Sequence, residues 1–266
     1  MEWNNIKFSS LPYPNDPPYL YHRDLRKPLP YQDNSFDALY CNHVFEHLTP
    51  ADGFNLANEL YRVLKSDGIC RVVVPDLEAA AREYLDCLNK VTFKISPGNI
   101  TQYEWGVADL IDQMVRLKLG GMMAENLTSG NVDWEQIKRR NGDVFDNLQF
   151  GQEKKITKGF KIQLQKLLPK SVKDIPRLAN KVWYRLLREV YFRLSKKSRV
   201  ELYNEKNLWM YDRFSLPRLL EKSGFRDIQV VDFNISQIES WSRYNFDQSE
   251  RGNYPLEPSV YVEGEK

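Results

Sequence analysis

The chain has 266 residues, 42% hydrophobic and 28% charged, with a formal net charge of +2, which excludes a disordered or fibrous polymer and allows one sizeable core with an elaboration. Its three cysteines, Cys41, Cys70 and Cys87, lack metal-ligand spacing and read as packed, reduced thiols of a cytoplasmic protein. No apolar run reaches the roughly 18 residues of a membrane span, and the amino terminus shows no signal-peptide pattern.

In chain order, Trp3–Phe8 predicts a short strand, Ser9–Pro18 is too rich in proline for a helix, and Tyr19–His22 predicts a second short strand. Gln32-Asp33-Asn34-Ser35 is turn chemistry, and the apolar run Phe36–Cys41 predicts a covered strand. A helix follows, with Thr49 as N-cap, Pro50 at its first position and Phe54, Leu56, Ala57, Leu60, Tyr61, Val63 and Leu64 on its apolar face. Ser66-Asp67-Gly68 ends it, and Ile69–Val74, β-branched with only Arg71 charged, predicts a second covered strand. Pro75 stops that strand and Asp76 caps the next helix. Strand, helix and strand in about forty residues make a βαβ unit, which requires a parallel sheet. Ligands of such sheets sit at the carboxyl ends of the strands, here Cys41-Asn42-His43 and Pro75-Asp76.

Helices are predicted over Leu77–Leu88 and Tyr103–Leu119, the second carrying Trp105, Ala108, Ile111, Val115 and Leu119 and broken by Gly120-Gly121. From Lys154 to Arg199 there are 15 Lys or Arg against two acids, interleaved with apolar residues. One reading is a solvated helix face. The other is a surface for an anionic membrane, for a lipid-linked or acidic substrate, or for nucleic acid, although no nucleic-acid-binding signature supports the last. A helix over Ser215–Ser223, capped by Ser215 and ended by Gly224, precedes strands over Ile228–Phe233 and Ser259–Glu263. The aromatic and polar segment from Gln237 to Pro258 is placed to cover one end of the sheet.

The run from His22 through Arg23-Asp24-Leu25-Arg26-Lys27-Pro28-Leu29-Pro30-Tyr31-Gln32-Asp33-Asn34-Ser35-Phe36-Asp37, then Asn42-His43-Val44-Phe45-Glu46-His47-Leu48 and Arg62-Val63-Leu64-Lys65-Ser66-Asp67-Gly68, resembles class I S-adenosylmethionine-dependent methyltransferases of the type 11 kind. Trp209-Met210-Tyr211-Asp212-Arg213-Phe214-Ser215 with Gly224-Phe225-Arg226-Asp227 resembles the last helix and strand of a bacterial subgroup of that family. The resemblance implies an α/β, Rossmann-like sheet with a mixed final hairpin, in one domain over residues 1–266 with a helical, partly basic elaboration at about 89–206 that carries substrate specificity. It implies S-adenosylmethionine as cofactor, with Asp24 and Leu25 by the adenine and Cys41 and Asn42 lining the methionine half. His43, at the strand end, is the candidate base.

One departure stands out. The family begins with a strand and a glycine-rich loop, whereas no glycine precedes Gly53 here, and no acid stands at Lys7-Phe8-Ser9-Ser10 to bind ribose. The chain therefore reads as N-terminally truncated, starting just past that loop.

Each site residue has a plainer role open to it. Asp24 can pair with Arg23, Arg26 or Lys27, Cys41 can simply pack, and Asp76 can simply cap. His43-Val44-Phe45-Glu46-His47 spells H-x-x-E-H, a zinc-hydrolase pattern when it lies on a helix, but His43 falls before the Thr49 cap; no metal is expected, and His47 reads as a structural residue bonding nearby backbone. The functional expectation is methyl transfer to a small molecule, sugar or lipid-linked glycan by a cytoplasmic protein that is peripheral to the membrane if the basic region binds lipid. The alternatives are a non-catalytic binding module of the same fold and a zinc hydrolase.

Overall fold

In the computed structural model, which describes residues 6–8, 21–116, 121–142, 206–249, 255 and 259–266, the two N-terminal runs pair in parallel as β1 (Ile6–Phe8) and β2 (Tyr21–Arg23). These strands lie in a unit formed by Met1–Arg23 with Asp146–Asn204, and the remaining elements lie in a second unit, Asp24–Phe145 with Glu205–Lys266. The basic segment Lys154–Arg199 falls outside the described residues, and the helix expected to run to Leu119 ends at Met114, where Val115 turns extended and caps it.

The second unit is built on the βαβ element. β3 (Phe36–Asn42) runs parallel to β4 (Leu64–Pro75), with Cys41 beside Val72 and Asn42 beside Val73. Between them α1 (Pro50–Val63) starts at Thr49, whose hydroxyl accepts the Asp52 N–H at 3.2 Å, and buries Leu56, Ala57, Leu60 and Val63 at helical spacing. Arg62 holds the preceding loop in place. Its guanidinium donates to the Tyr31 and Leu29 carbonyls at 2.8 and 3.1 Å and to Asp33 and Glu59 at 2.7 and 2.8 Å.

The sheet order is β3-β4-β6-β5, with β6 (Ser259–Glu265) antiparallel to both β4 and β5 (Arg226–Val231). This is the reversed final hairpin that the resemblance implied. β3 has one strand neighbour among the described residues. α6 (Ser215–Lys222) precedes β5, but Ser215 is not its cap: Asp212 Oδ1 accepts from the Phe214 and Ser215 N–H groups at 3.0 and 2.7 Å. A carboxylate one residue before the turn outcompetes the hydroxyl because it is charged. Gly224 ends α6 at φ +100°, where a Cβ would meet the Tyr61 ring at 3.2 Å.

α1 and α6 cover one face of the sheet, sealed by Tyr61 against Phe225 with ring centroids 5.3 Å apart. The opposite face carries Tyr40, Arg71 and Glu263, which are neighbours by register. Over it lies the segment from Asp232 to Ser249, so the aromatic stretch predicted to cover an end of the sheet covers part of a face instead. The reason is Arg71. Its five N–H groups reach Asp247 (2.8 Å), Glu263 (2.8 Å) and the carbonyls of Ile235 (2.8 Å), Phe233 (3.0 Å) and Asp232 (3.3 Å). Trp241 lies over the guanidinium at 4.8 Å, and Tyr40 both stacks on Phe246 and donates to Asp247.

A helical layer completes the unit. α2 (Leu77–Phe93) is capped by Asp76, which accepts the Glu78 N–H at 2.9 Å, and runs five residues past the expected Leu88. α3 (Pro97–Met114) starts six residues before the expected Tyr103, because Ser96 caps it and Pro97 fills its first position. α4 (Gly121–Ser129) and α5 (Trp134–Asn141) pack against α3 through Trp105, Ala108, Met123, Leu127 and Ile137. Gly121, at φ +60°, sits where a Cβ would collide with the Asp112 carboxylate at 2.3 Å, and that carboxylate accepts the Met122 and Met123 N–H groups at 3.0 and 2.7 Å.

Replacing Arg71 with methionine leaves Glu263 and Asp247, at 0% and 3% side-chain exposure, buried without their cation. The expected loss is about 3–5 kcal/mol, read as a lower urea midpoint at unchanged slope.

Candidate functional site

At its carboxyl end β3 alternates, so that Cys41 is buried and Asn42 faces solvent. The His43 N–H extends the ladder by one bond to the Val73 carbonyl at 2.9 Å, and a φ of +50° then swings the chain off the sheet. A 3₁₀ turn over Phe45–His47 buries Phe45 and Glu46. The Glu46 carbonyl accepts the N–H groups of Leu208 and Trp209 at 2.7 and 3.2 Å, and His47 Nδ1 donates to the Lys206 carbonyl at 3.0 Å. His47 is therefore the structural residue its sequence position suggested.

His43 lies between two polar partners. Nδ1 is 3.1 Å from Glu46 Oε1, and Nε2 is 3.3 Å from the Ser259 hydroxyl at the start of β6. Glu46 is 2% exposed. Burial pushes its carboxyl up, but the His43 hydrogen bond and the His43 and His47 charges outweigh that and hold it below the ordinary value of 4.5. An ionised carboxylate only accepts, so Nδ1 carries a proton and, in the neutral imidazole, the Nε2 lone pair faces Ser259. Imidazole, carboxylate and hydroxyl are thus assembled from the end of β3, the turn after it and a strand start 216 residues later.

The surroundings are largely buried. Burial pushes the Cys41 thiol well above its ordinary value, so it packs as a neutral group. Tyr211 joins Phe45 edge-on at 6.2 Å, and burial with the nearby Glu46 charge pushes its phenol up to about 12. Two buried polar atoms here, Glu46 Oε2 and the Tyr211 hydroxyl, have no hydrogen-bond partner, an arrangement that suits a water or a polar ligand group.

The H-x-x-E-H spacing does not form a helical metal site. The glutamate lies between the histidines, 3.1 Å from His43 Nδ1 and 3.9 Å from His47 Nε2, on a 3₁₀ turn. Among the described residues no three His, Cys, Asp or Glu side chains are grouped to hold a metal.

Asp24 and Leu25 lie in the loop after β2. Leu25 is buried. Arg26 embraces Asp24, Nε to Oδ1 at 2.7 Å and Nη2 to Oδ2 at 2.9 Å, and the Arg26 N–H also reaches Oδ1 at 3.2 Å. The Arg26 hydrogen bonds hold Asp24 below its ordinary value. This is the pairing that sequence reading set beside a cofactor role. Counting lone pairs, Oδ2 can still accept one hydroxyl.

Glu46 and Ser259 were not singled out from sequence as partners of His43. For Glu46 a signal was present, since a spacing of three residues across a tight turn brings two side chains together. For Ser259 there was none.

Residues 4–72, about a quarter of the chain, match the family model of the methyltransferase domain. A search of curated proteins gave no match. The matched stretch is similar to class I S-adenosylmethionine-dependent methyltransferases, and the parallel β3–α1–β4 unit with its reversed final hairpin fits a Rossmann-like α/β fold. Enzymes of this family generally use S-adenosylmethionine. The polar groups left for a ligand at the two predicted positions are the exposed Asn42 amide at the end of β3 and one acceptor position on Asp24.

Because Glu46 is the stronger acid in the folded chain, its stabilising contribution is complete above 4.5 and disappears as pH falls through its lower folded value. Glu46→Gln removes that acid limb from the melting temperature measured against pH.

Proposed function

We propose that this chain transfers a methyl group from S-adenosylmethionine to a hydroxyl of a small molecule, sugar or lipid-linked glycan. The observation that carries this reading is the His43 Nε2 lone pair, aimed at a hydroxyl oxygen 3.3 Å away and fixed from behind by buried Glu46. Bound cofactor supplies an electrophilic methyl group on a sulfonium. Asp24, Leu25, Cys41 and Asn42 would hold it, with Asn42 and Asp24 hydrogen-bonding its polar groups and Cys41 giving an uncharged wall.

His43 accepts the hydroxyl proton at Nε2, and Glu46 stabilises the imidazolium that results. A neutral imidazole suits this step near pH 7. Ser259 keeps Nε2 in hydrogen-bonding register until an acceptor hydroxyl takes its place. The three free, buried cysteines support a cytoplasmic setting.

A second reading is a binding module of the same fold that has no cofactor. It is favoured by Asp24, whose two oxygens are both engaged by Arg26.

Calorimetric titration with S-adenosylhomocysteine separates the two. Micromolar binding, about 8 kcal/mol, is expected, and its absence in a folded chain overturns the enzyme reading. With tritiated S-adenosylmethionine and a panel of sugar and glycan acceptors, His43→Ala is expected to lower kcat about 10²- to 10⁴-fold while leaving S-adenosylhomocysteine affinity unchanged.

A further inference from the structure

Ser259, His43 and Glu46 form one chain of contacts. The imidazole bridges hydroxyl and carboxylate through opposite nitrogens, with Nε2 3.3 Å from Ser259 Oγ and Nδ1 3.1 Å from Glu46 Oε1. With Glu46 ionised and Nδ1 protonated, the Ser259 O–H donates to the Nε2 lone pair. Hydroxyl, base and orienting carboxylate in that order are the arrangement by which an imidazole turns an alcohol into a nucleophile.

Exposure is graded along the chain of contacts. Ser259 is half-buried, and the side chains of His43 and Glu46 are 23% and 3% exposed. The end that must meet a substrate reaches solvent, and the end that must stay fixed is covered.

The three groups are also held by separate parts of the backbone. His43 adopts φ +50°, an unfavourable conformation for a residue with a Cβ, and its N–H is tied to the Val73 carbonyl at 2.9 Å. Ser259 is placed by β6, opposite Pro75 of β4, and the Glu46 carbonyl by the Leu208 and Trp209 N–H groups. Such placement lowers the ordering cost of a reaction at Oγ.

The cysteines do not compete as nucleophiles. All three are buried, and burial pushes the Cys41 thiol well above its ordinary value, Cys70 up to about 12 and Cys87 up to about 11.

We propose that Ser259 is an activated nucleophile that takes an acyl group from an activated carboxylic ester, with His43 as its base and Glu46 as a positioning residue. Oγ bonds to the carbonyl carbon while Nε2 takes the hydroxyl proton. The bond from that carbon to the leaving oxygen then breaks, and Nε2 gives the proton to the departing alcohol. Water, deprotonated by the same nitrogen, releases the carboxylic acid and restores Ser259. The proposal shares the His43–Glu46 pair with the methyl-transfer reading but needs no cofactor, so either can fail without the other.

The test treats the full chain, without S-adenosylmethionine, with a fluorophosphonate probe and with 4-nitrophenyl acetate. Oγ is expected to displace fluoride, giving one phosphonyl adduct that mass spectrometry maps to Ser259. The ester is expected to give a burst of one 4-nitrophenolate per chain. Ser259→Ala is expected to abolish both signals. His43→Ala is expected to slow labelling about 10²- to 10⁴-fold, and Glu46→Gln at least about tenfold, in chains that circular dichroism shows to be folded. The proposal is overturned if the folded parent chain forms no adduct, if the adduct maps to another residue, or if folded His43→Ala is labelled at the parent rate. The parent adduct needs no variant, so a misfolded variant does not spare the proposal.

Discussion

The Arg71 guanidinium is the constraint on which the sheet and the site depend. A cation with no exposed surface, in the middle of β4, is unfavourable unless every donor is met, and all five are. Its partners come from β6 and from the covering segment, so one side chain fixes both. Glu263 on β6 is itself fully engaged, taking Ser236 and the Gln237 N–H in addition to Arg71. A slip of β6 by one residue would turn Glu263 toward the α1–α6 face, where Val72 and Val262 pack, and away from Arg71.

That register is what delivers Ser259. It lies opposite Pro75 on β4, four residues before Glu263 on the same side of β6, and so reaches the end of the sheet where His43 leaves β3. The geometry of the candidate base is therefore set at a distance, by an ion pair with no chemical part in it. Burial raises Asp247 above its ordinary value even with Arg71 and Tyr40 beside it, so the network is held in place by complete hydrogen bonding rather than by charge alone.

What could be read from the sequence was what is encoded locally. Thr49 with Pro50, Asp76 before α2 and Gly224 after α6 are caps whose physics is complete within a few residues, and the structure uses all three. Ser96-Pro97 was an equally good start for α3, obscured by Gly98 and Asn99, which lower helix propensity just after it. The role of Arg71 was not legible, because a lone charge in a strand looks the same whether it faces water or a buried carboxylate. Nor was the Ser259 contact, which exists only once the antiparallel register of β6 is fixed.

Two levels of order therefore meet at His43. The turn from Asn42 to His47 places imidazole and carboxylate together through a left-handed residue and a 3₁₀ turn, both local and both costly without support. The support is long-range: the Glu46 carbonyl is held by the N–H groups of Leu208 and Trp209, and His47 by the Lys206 carbonyl. Those bonds tie the turn to the stretch at Asn207–Tyr211, whose Tyr211 carbonyl accepts the first N–H of α2 and whose Tyr211 ring packs on Phe45. An imidazole whose backbone, neighbouring carboxylate and facing hydroxyl are each anchored by a different part of the chain has little freedom to reorient. The same anchoring leaves Glu46 Oε2 buried beside the imidazole without a hydrogen bond, a cost that a water or a polar ligand group would relieve.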